Sequence, residues 1–406
     1  STSAPDVSVL VLPPGELPEE LSAYVGFSGV VLLGKPIESL TEGQRRVLEQ
    51  YAAAGGLLAI ERKSRGVDQY LPMSREQGGD DYLHYGFGKL LACDAERGGC
   101  GPRFMTLAYT SALPVKAVGP APSYARGPFR SSYYYGDRPQ AALLAQAAPP
   151  VGRFLVIMIL FTLAVGPGSL WVARKRGPLF VLITVPSIAL VTCVSIALYS
   201  AVVDGFQVHA TTRGYTLLDR RGARAITASL EAFYANLSPS SAQFGTGDVV
   251  LFPGDRYSSQ GASITWEGGP HFGGDYIPSR TYREWGVVSV SPTRARLSLK
   301  DNGGLHVLNA LGGHVKYLLV KKGDEMYEAN DIADGGDAKL VSTLAKMPPD
   351  LTDANDRFAG NIASAIRAPL REGEFVAVMD GPGPSPLGGI RTLHDGDQHL
   401  IRGEAD

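Results

Sequence analysis

A chain of 406 residues, 44% hydrophobic and 19% charged, is long enough for two or three domains and has the composition of an ordinary folded protein. A formal net charge of -2 and a pI near 6.4 supply no basic field, which argues against nucleic acid or an acidic membrane surface as a partner. The apolar residues are not evenly spread, and they concentrate in the middle of the chain.

Residues 1–150 read as an α/β domain. "VSVLVL" (Val7 to Leu12) and "GVVLLG" (Gly29 to Gly34) are continuous apolar runs with the length of buried strands, and "LPEELSAY" between them reads as a short helix. "TEGQRRVLEQYAAAGG" places Thr41 and Gln44 at capping-box spacing and stops at Gly55, which predicts a helix, and "GLLAI" (Gly56 to Ile60) predicts the next strand. Lys89 to Cys93 is a further strand, and alternating strands and helices imply a parallel sheet with right-handed crossovers. The rest, to Pro150, is rich in Pro, Gly and Tyr and predicts an irregular layer leading onward.

Residues 151–204 read as a transmembrane hairpin. Phe154 to Ala173 is 20 residues without a charge and Pro178 to Val203 is 26, each long enough to cross the hydrocarbon core as a helix. The alternative, two buried core helices of a soluble protein, seldom runs so far without a charge. About four residues separate the spans, so the helices are antiparallel, and the turn holds Arg174, Lys175 and Arg176. Short cytoplasmic loops carry an excess of Lys and Arg, which predicts a cytoplasmic turn and puts both flanking domains on the other side, the periplasm or cell exterior. Gly166, Pro167 and Gly168 interrupt the first span and Pro186 the second, predicting kinks whose freed carbonyls need new donors from neighbouring helices. No Asp, Glu, Lys, Arg or His lies inside either span, so an ion or proton pathway has nothing to run on.

Cysteine usage follows the same topology. Cys193 lies in the second span, whereas Cys93 and Cys100 are close together on the non-cytoplasmic side, where an oxidising compartment favours a disulfide between them. The alternatives are a metal pair, which lacks two further ligands at suitable spacing, and two unpaired thiols. A hydrolase site in this domain would need a nucleophile on a strand-to-helix elbow flanked by small residues. Ser64 has bulky charged neighbours in "ERKSRG", Cys93 lacks flanking glycines, and His84, the only histidine before the spans, has no acidic partner marked by spacing.

Residues 205–406 read as a β-rich, mostly antiparallel sandwich or barrel with helical additions near the C-terminus. "FQVHATTRGYTLLD", "GDVVLFPG", "ASITWEGG", "WGVVSVSPTRARLSL", "GLHVLNAL" and "VKYLLVKKGD" are short strand patterns between Gly, Pro, Asp and Asn turns. "AITASLEAFYANL" is alanine-rich but alternates, and it is assigned as a strand. "AKLVSTLAKM" and "NDRFAGNIASAIRA" are helical candidates, and "EFVAVMDG" is the expected last strand. "HDGDQH" (His394 to His399) looks like an exposed tail, and "DLTDAND" lacks the glycine and distal Glu of a calcium loop, so no metal or other cofactor is expected. Trp266, His271, Tyr276, Tyr282 and Trp285 lie near one another in sequence, where aromatic strand residues are more often core than a binding surface.

The stretches "YVGFSGVVLLGKPIESLTEGQRRVLEQYAAAGGLLAIE", "YGFGKLLACD", "GPGSLWVARKRGPLFVLITVPSIALVTCVSIALYSAVVDGF" and "GYTLLDRRGARA" together resemble bacterial membrane proteins of largely unassigned function. These carry a flavodoxin-like, class I glutamine-amidotransferase-like domain outside the membrane, then a helix pair and a β-rich domain. The resemblance covers most of residues 25–240. Amidotransferases hydrolyse with an elbow Cys, a distant His and a Glu; no residue here matches that elbow, so the resemblance implies a degenerate, non-catalytic domain used for binding. Many relatives also have a preceding β-domain and a further span near the C-terminus. Neither is visible here, so the chain reads as a processed or partial form, its start at "STSAPD" suiting removal of a signal sequence. The expected function is a membrane-anchored accessory or scaffold subunit without a catalytic site, partnered by other integral membrane subunits and the lipid bilayer. A periplasmic ligand sensor and a membrane-bound hydrolase are the competing readings.

Overall fold

The computed structural model describes residues 9–24, 27, 29–33, 39–61, 76–78, 82–93, 151–199, 208–220, 222–239, 241–244, 249–253, 263–265, 271–348 apart from 275 and 302, 369–381, 387–388, 392–394 and 396–406, with single residues within 100–107, 143–144 and 362–368 and at 383.

The small N-terminal domain is a five-stranded mixed sheet with one helix. Strands β1 (Val30–Leu32), β2 (Leu57–Glu61) and β5 (Gly88–Cys93) are parallel neighbours, whereas β4 (Tyr82–Tyr85) and β3 (Glu76–Gly78) add antiparallel to β5. The expected all-parallel sheet therefore holds for three strands and is replaced by a meander at the far edge, because β3, β4 and β5 follow one another through connections too short for a crossover. Helix α1 (Glu42–Ala53) has the expected capping box, with the Gln44 amide donating to Thr41 Oγ1 and the Thr41 amide to Gln44 Oε1, both at 3.1 Å. It ends before Gly55, whose φ of +125° only glycine adopts readily. Gly88 lets β5 pass directly under the end of that helix, since a Cβ there would lie 2.2 Å from the Ala52 carbonyl oxygen.

"VSVLVL" is not a buried strand over its described part. Val9 to Leu12 are exposed and belong to no sheet, and the Pro14–Glu16 3-10 turn leads the chain away immediately afterwards. An apolar run of this length fits a buried strand but does not by itself supply the neighbour to pair with. "LPEELSAY" forms only a 3-10 turn, Leu21–Tyr24.

Two consecutive helices long and apolar enough to cross a membrane follow, Leu155–Arg176 and Pro178–Ile196. The first is helical from Val151, passes through a π-helical turn at Ala164–Gly168 and ends at Arg176; the second continues to Tyr199.

The C-terminal domain is dominated by a ten-stranded sheet, mostly antiparallel. Its centre is three long strands, β6 (Val208–Asp219), β7 (Arg224–Ala235) and β12 (Tyr282–Pro292), with β9 (Val249–Pro253) beyond β12. On the other side β6 pairs in parallel with β21 (Thr392–His394) and β22 (Gln398–Glu404); then come β19 (Glu374–Asp380), β15 (Val315–Lys322), β16 (Glu325–Ile332) and the edge strand β18 (Val341–Thr343). Two small sheets accompany it: β13 (Arg296–Asp301), β14 (Leu305–Ala310) and β17 (Asp337–Lys339) in one, and β8 (Ser241–Phe244), β10 (Ser263–Thr265), β11 (His271–Gly273) and β20 (Leu387–Gly388) in the other.

The alanine-rich "AITASLEAFYANL" is strand β7, as its alternation indicated. Three expectations change. "AKLVSTLAKM" forms β17 and β18 rather than a helix, because Leu340 enters the core between two strand pairings. "EFVAVMDG" is β19 but not the last strand, since β22 follows and lies between β19 and β6. "HDGDQH" is not an exposed tail, for His399 is fully buried in β22 and the Asp397 carboxylate accepts from the Thr212 amide at 2.7 Å. Most of "NDRFAGNIASAIRA" and of "DLTDAND" lies outside the described residues.

The strand register sorts the large sheet into two faces. On one, Tyr215, Ile226, Ala228, Leu230, Val288, Val290, Leu319, Val376, Val378 and Leu400 form a continuous core with Leu48, Tyr51, Leu58, Tyr85, Phe87 and Leu90 of the small domain. The two domains thus share one hydrophobic core, although the hairpin separates them in sequence. The other face is covered at one end by the β13–β14–β17 sheet, through Leu297, Val307, Leu318, Phe375 and Ile401, and at the other by Phe272, Tyr276 and Ile277 against Ala210, Phe233 and Val287.

Candidate functional site

Three parts of the molecule hold the groups from which a function can be built, and the hairpin is the largest. At 1.5 Å per residue its 22- and 19-residue helices reach roughly 33 and 28 Å. Leu155, Ile159, Leu160, Trp171, Leu182, Leu190 and Val191 all point outward, an apolar surface far larger than a soluble monomer exposes. A shallow groove lined by Leu155, Met158, Ile159, Thr162 and Leu163 runs along the first helix.

The breaks in these helices are local. Gly166, Pro167 and Gly168 lie within the π-helical turn, where the missing Pro167 amide interrupts the ladder. The Ser169 hydroxyl lies against the Val165 carbonyl and, at 3.1 Å, the Gly166 carbonyl, so its one proton is shared between two carbonyls at the break and comes from the same helix rather than from a neighbour. The Thr184, Ser187 and Thr192 hydroxyls likewise bond to carbonyls four residues back, on either side of Pro186. Polar side chains are thereby satisfied without water, which an apolar solvent demands.

Arg174, Lys175 and Arg176 form the last turn of the first helix, where the negative end of the helix dipole favours cations. Gly177, at φ +97°, then reverses the chain. The Lys175 Nζ sits 4.2 Å above the Trp171 ring, pairing a cation with an aromatic of the type that marks membrane interfaces.

The second part is the junction between the domains. Glu49 of α1 is buried; its Oε1 accepts from the Tyr85 hydroxyl at 2.7 Å and pairs with Arg224 Nη1 of β7 at 2.7 Å. Burial, and then the Glu49 charge, push the Tyr85 hydroxyl far above its ordinary pKa, so it remains a donor at any physiological pH. Tyr85 reaches the carboxylate because Gly86, at φ +59°, brings the β4–β5 turn so close that a Cβ there would sit 2.6 Å from the Ala53 carbonyl oxygen.

His84, opposite Lys89 across β4 and β5, is a half-buried titratable group of the same sheet. Burial, and then the Lys89 cation, hold its pKa below the ordinary 6.5, and its ring meets Tyr82 edge-on at a centroid distance of 5.3 Å. A histidine whose folded pKa is depressed contributes stability that is present above 6.5 and lost as pH falls through the folded value, because the unfolded chain then takes up the proton more readily. His84→Gln is therefore expected to lose less stability than the parent between pH 7 and pH 5, read as the shift in urea midpoint of the detergent-solubilised protein. An equal loss in both would show that His84 makes no difference.

The third part is a polar stratum on the large sheet's second face. Thr212, Thr216, Thr227, Ser229, Glu231, Ser289 and His399 are all buried between the two apolar covers. Their hydrogen bonds run largely among themselves: Thr216 Oγ1 meets Thr227 Oγ1 and His399 Nε2, each at 2.7 Å, and Ser229 donates to Glu231 Oε1 at 3.4 Å. Gly214 and Gly383 flank the imidazole so closely that a Cβ on either would lie 2.3 Å from His399 Nδ1. The arrangement is an enclosed network rather than an open pocket, and alternating hydroxyls and alanines in the sequence gave no sign of which face would be covered.

Among the described residues no group of three or more His, Cys, Asp or Glu is gathered as a metal site. Cys193 carries a free, exposed thiol, while Cys100 is buried against Ala59 and Leu91; Ser64 and the Cys93 side chain lie outside the described residues. Tyr276 packs on Phe272 in the core, the Tyr282 hydroxyl oxygen accepts from the Leu143 amide at 2.9 Å, and His271 sits half-buried in β11; Trp266 and the Trp285 side chain lie outside the described residues. In comparison with known proteins, no family model and no curated protein matches the chain.

Proposed function

We propose that the chain is a membrane-anchored accessory or scaffold subunit, held in a bacterial inner membrane by its helix hairpin, with both folded domains periplasmic. The observation that carries the reading is the outward-facing apolar surface of two successive helices attached to a body whose two domains share a single core. A rigid body tethered by two adjacent helices holds partners in fixed relation to the bilayer. The grooved first helix offers those partners an apolar seat. The small domain, degenerate as an amidotransferase, serves as a binding element within that body.

Sidedness follows from the Arg174–Lys175–Arg176 turn, which the positive-inside rule assigns to the cytoplasm. A disulfide between Cys93 and Cys100 belongs to the same reading, since it would persist only in an oxidising compartment. In intact cells lacking other engineered cysteines, a membrane-impermeant maleimide is expected to leave Lys175→Cys unlabelled until the membrane is opened. Non-reducing peptide mapping is expected to recover Cys93 joined to Cys100. Labelling of Lys175→Cys from outside would reverse the topology.

The deciding experiment is purification from native membranes in mild detergent, with mass spectrometry of what remains bound. Membrane subunits present in fixed ratio support the accessory role. A monodisperse, solitary protein would overturn it.

A further inference from the structure

The large sheet ends at β18, which pairs with β16 on one side; among the described residues no strand pairs with its outer edge. Along and just beyond that edge, Val341 is 60% exposed, Leu344 97% and Met347 38%. Leu344 is the most exposed large apolar residue described in the chain, the membrane helices included. Lys339 and Lys346, both exposed, bracket the segment. Short strands and lysines commonly protect an edge against pairing, but a protected edge does not place three apolar side chains in water beside its free backbone groups.

From this edge we propose a docking site for an extended segment of a partner protein, apolar at its centre and acidic at its two flanks, which adds to β18 as the next strand. It rests on the accessory-subunit reading and names the surface through which a periplasmic partner is held. Main-chain hydrogen bonds would supply affinity, and the apolar centre and charged flanks would set specificity. Two other occupants fit less well. Lipid would cover Leu344 and Met347 and attract the lysines, yet it would leave the edge amides and carbonyls of β18 without partners in an apolar medium. A second copy of the chain, paired antiparallel so that Val341 meets Leu344, would set Lys339 directly against Lys346, a like-charge pair that destabilises a sheet.

The test uses the full chain in its native membrane with a benzophenone photocrosslinker replacing Leu344. Illumination is expected to join it to one other protein, the same one that co-purifies with the unmodified chain. Lys339→Glu with Lys346→Glu is expected to lower that crosslink about tenfold by turning charge attraction into repulsion. Ser342→Pro, which removes an edge amide without touching the core, is expected to lower it as well. Urea unfolding of each variant checks that the fold is retained. Crosslinking to phospholipid, to a second copy of the chain, or to nothing while membrane subunits still co-purify overturns the docking strand and leaves the accessory role standing. If no subunit co-purifies at all, the accessory role fails and the docking strand fails with it.

Discussion

Arg402→Met is expected to destabilise the C-terminal domain by about 3–5 kcal/mol, the range for removing one partner of a buried ion pair. The Arg402 side chain is 9% exposed and makes four bonds: Nη1 donates to the Ala365 and Ala368 carbonyls at 3.0 and 2.6 Å, and Nη2 donates to the Pro369 carbonyl and to Glu374 Oε2 at 2.9 and 2.6 Å. These tie β22 to Ala365, Ala368 and Pro369 and to β19. Methionine keeps much of the aliphatic volume but leaves Glu374, itself largely buried, without its cation and strips three carbonyls of a donor. Equilibrium urea unfolding of the detergent-solubilised chain, followed by tryptophan fluorescence, measures the change. The double variant Arg402→Met with Glu374→Leu is expected to recover part of the loss, since replacing both ions with apolar groups removes the desolvated charge altogether. A change below about 1 kcal/mol in the single variant would mean that solvent or the neighbouring Arg371 amide, which already donates to Glu374 at 3.0 Å, replaces the guanidinium.

The second large effect is expected at the junction. Glu49→Ala removes the acceptor of the buried Tyr85 hydroxyl and the counterion of Arg224 in one step. Because Arg224 is about a quarter exposed, water compensates part of its loss, and about 2–3 kcal/mol is expected rather than the full value for a wholly buried pair. Tyr85→Phe removes one hydrogen bond and keeps the ion pair, so about 1–2 kcal/mol is expected there. Hydrogen exchange locates the effect. Faster exchange in α1 and in the β6–β7 hairpin, with the β13–β14–β17 sheet unchanged, would show that the Glu49 cluster holds the domains together; uniform acceleration would show only a general loss of stability.

The elements most legible in the sequence were those whose signal is local. Thr41 and Gln44 announced the capping box of α1 because both partners of its hydrogen bonds lie within three residues. The two long apolar helices were legible because a stretch of 20 or more uncharged residues has few other uses, and β7 because alternation outweighs a helix-favouring alanine content. Val9 to Leu12 misled, since a short apolar run specifies a wish for burial but not a neighbour. The segment 338–347 misled in the opposite direction: its helical spacing was overruled once Leu340 was required in the core between two strand pairings.

Site residues divided along the same line. The three bases of the turn, the Gly-Pro-Gly break and Pro186 could be named from sequence, as their meaning lies in their own helices. Glu49, Tyr85, Arg224, His399 and Arg402 could not. Each is an unremarked polar residue in an apolar pattern, and its partner lies between 36 and 183 residues away or, for Arg402, at carbonyls that any residue would provide.

The sequence by itself determined that this protein has two apolar helices joined by a basic turn, a domain of alternating helix and strand before them and a strand-rich domain after them, because length, charge and periodicity act within a few neighbouring residues. The tertiary structure alone decided that the two outer domains share one core, that the last histidine is buried while Leu344 is bare, and that β18 has no outer partner strand among the described residues. Those outcomes depend on which faces meet across hundreds of residues, and burial is a property of that meeting rather than of any segment.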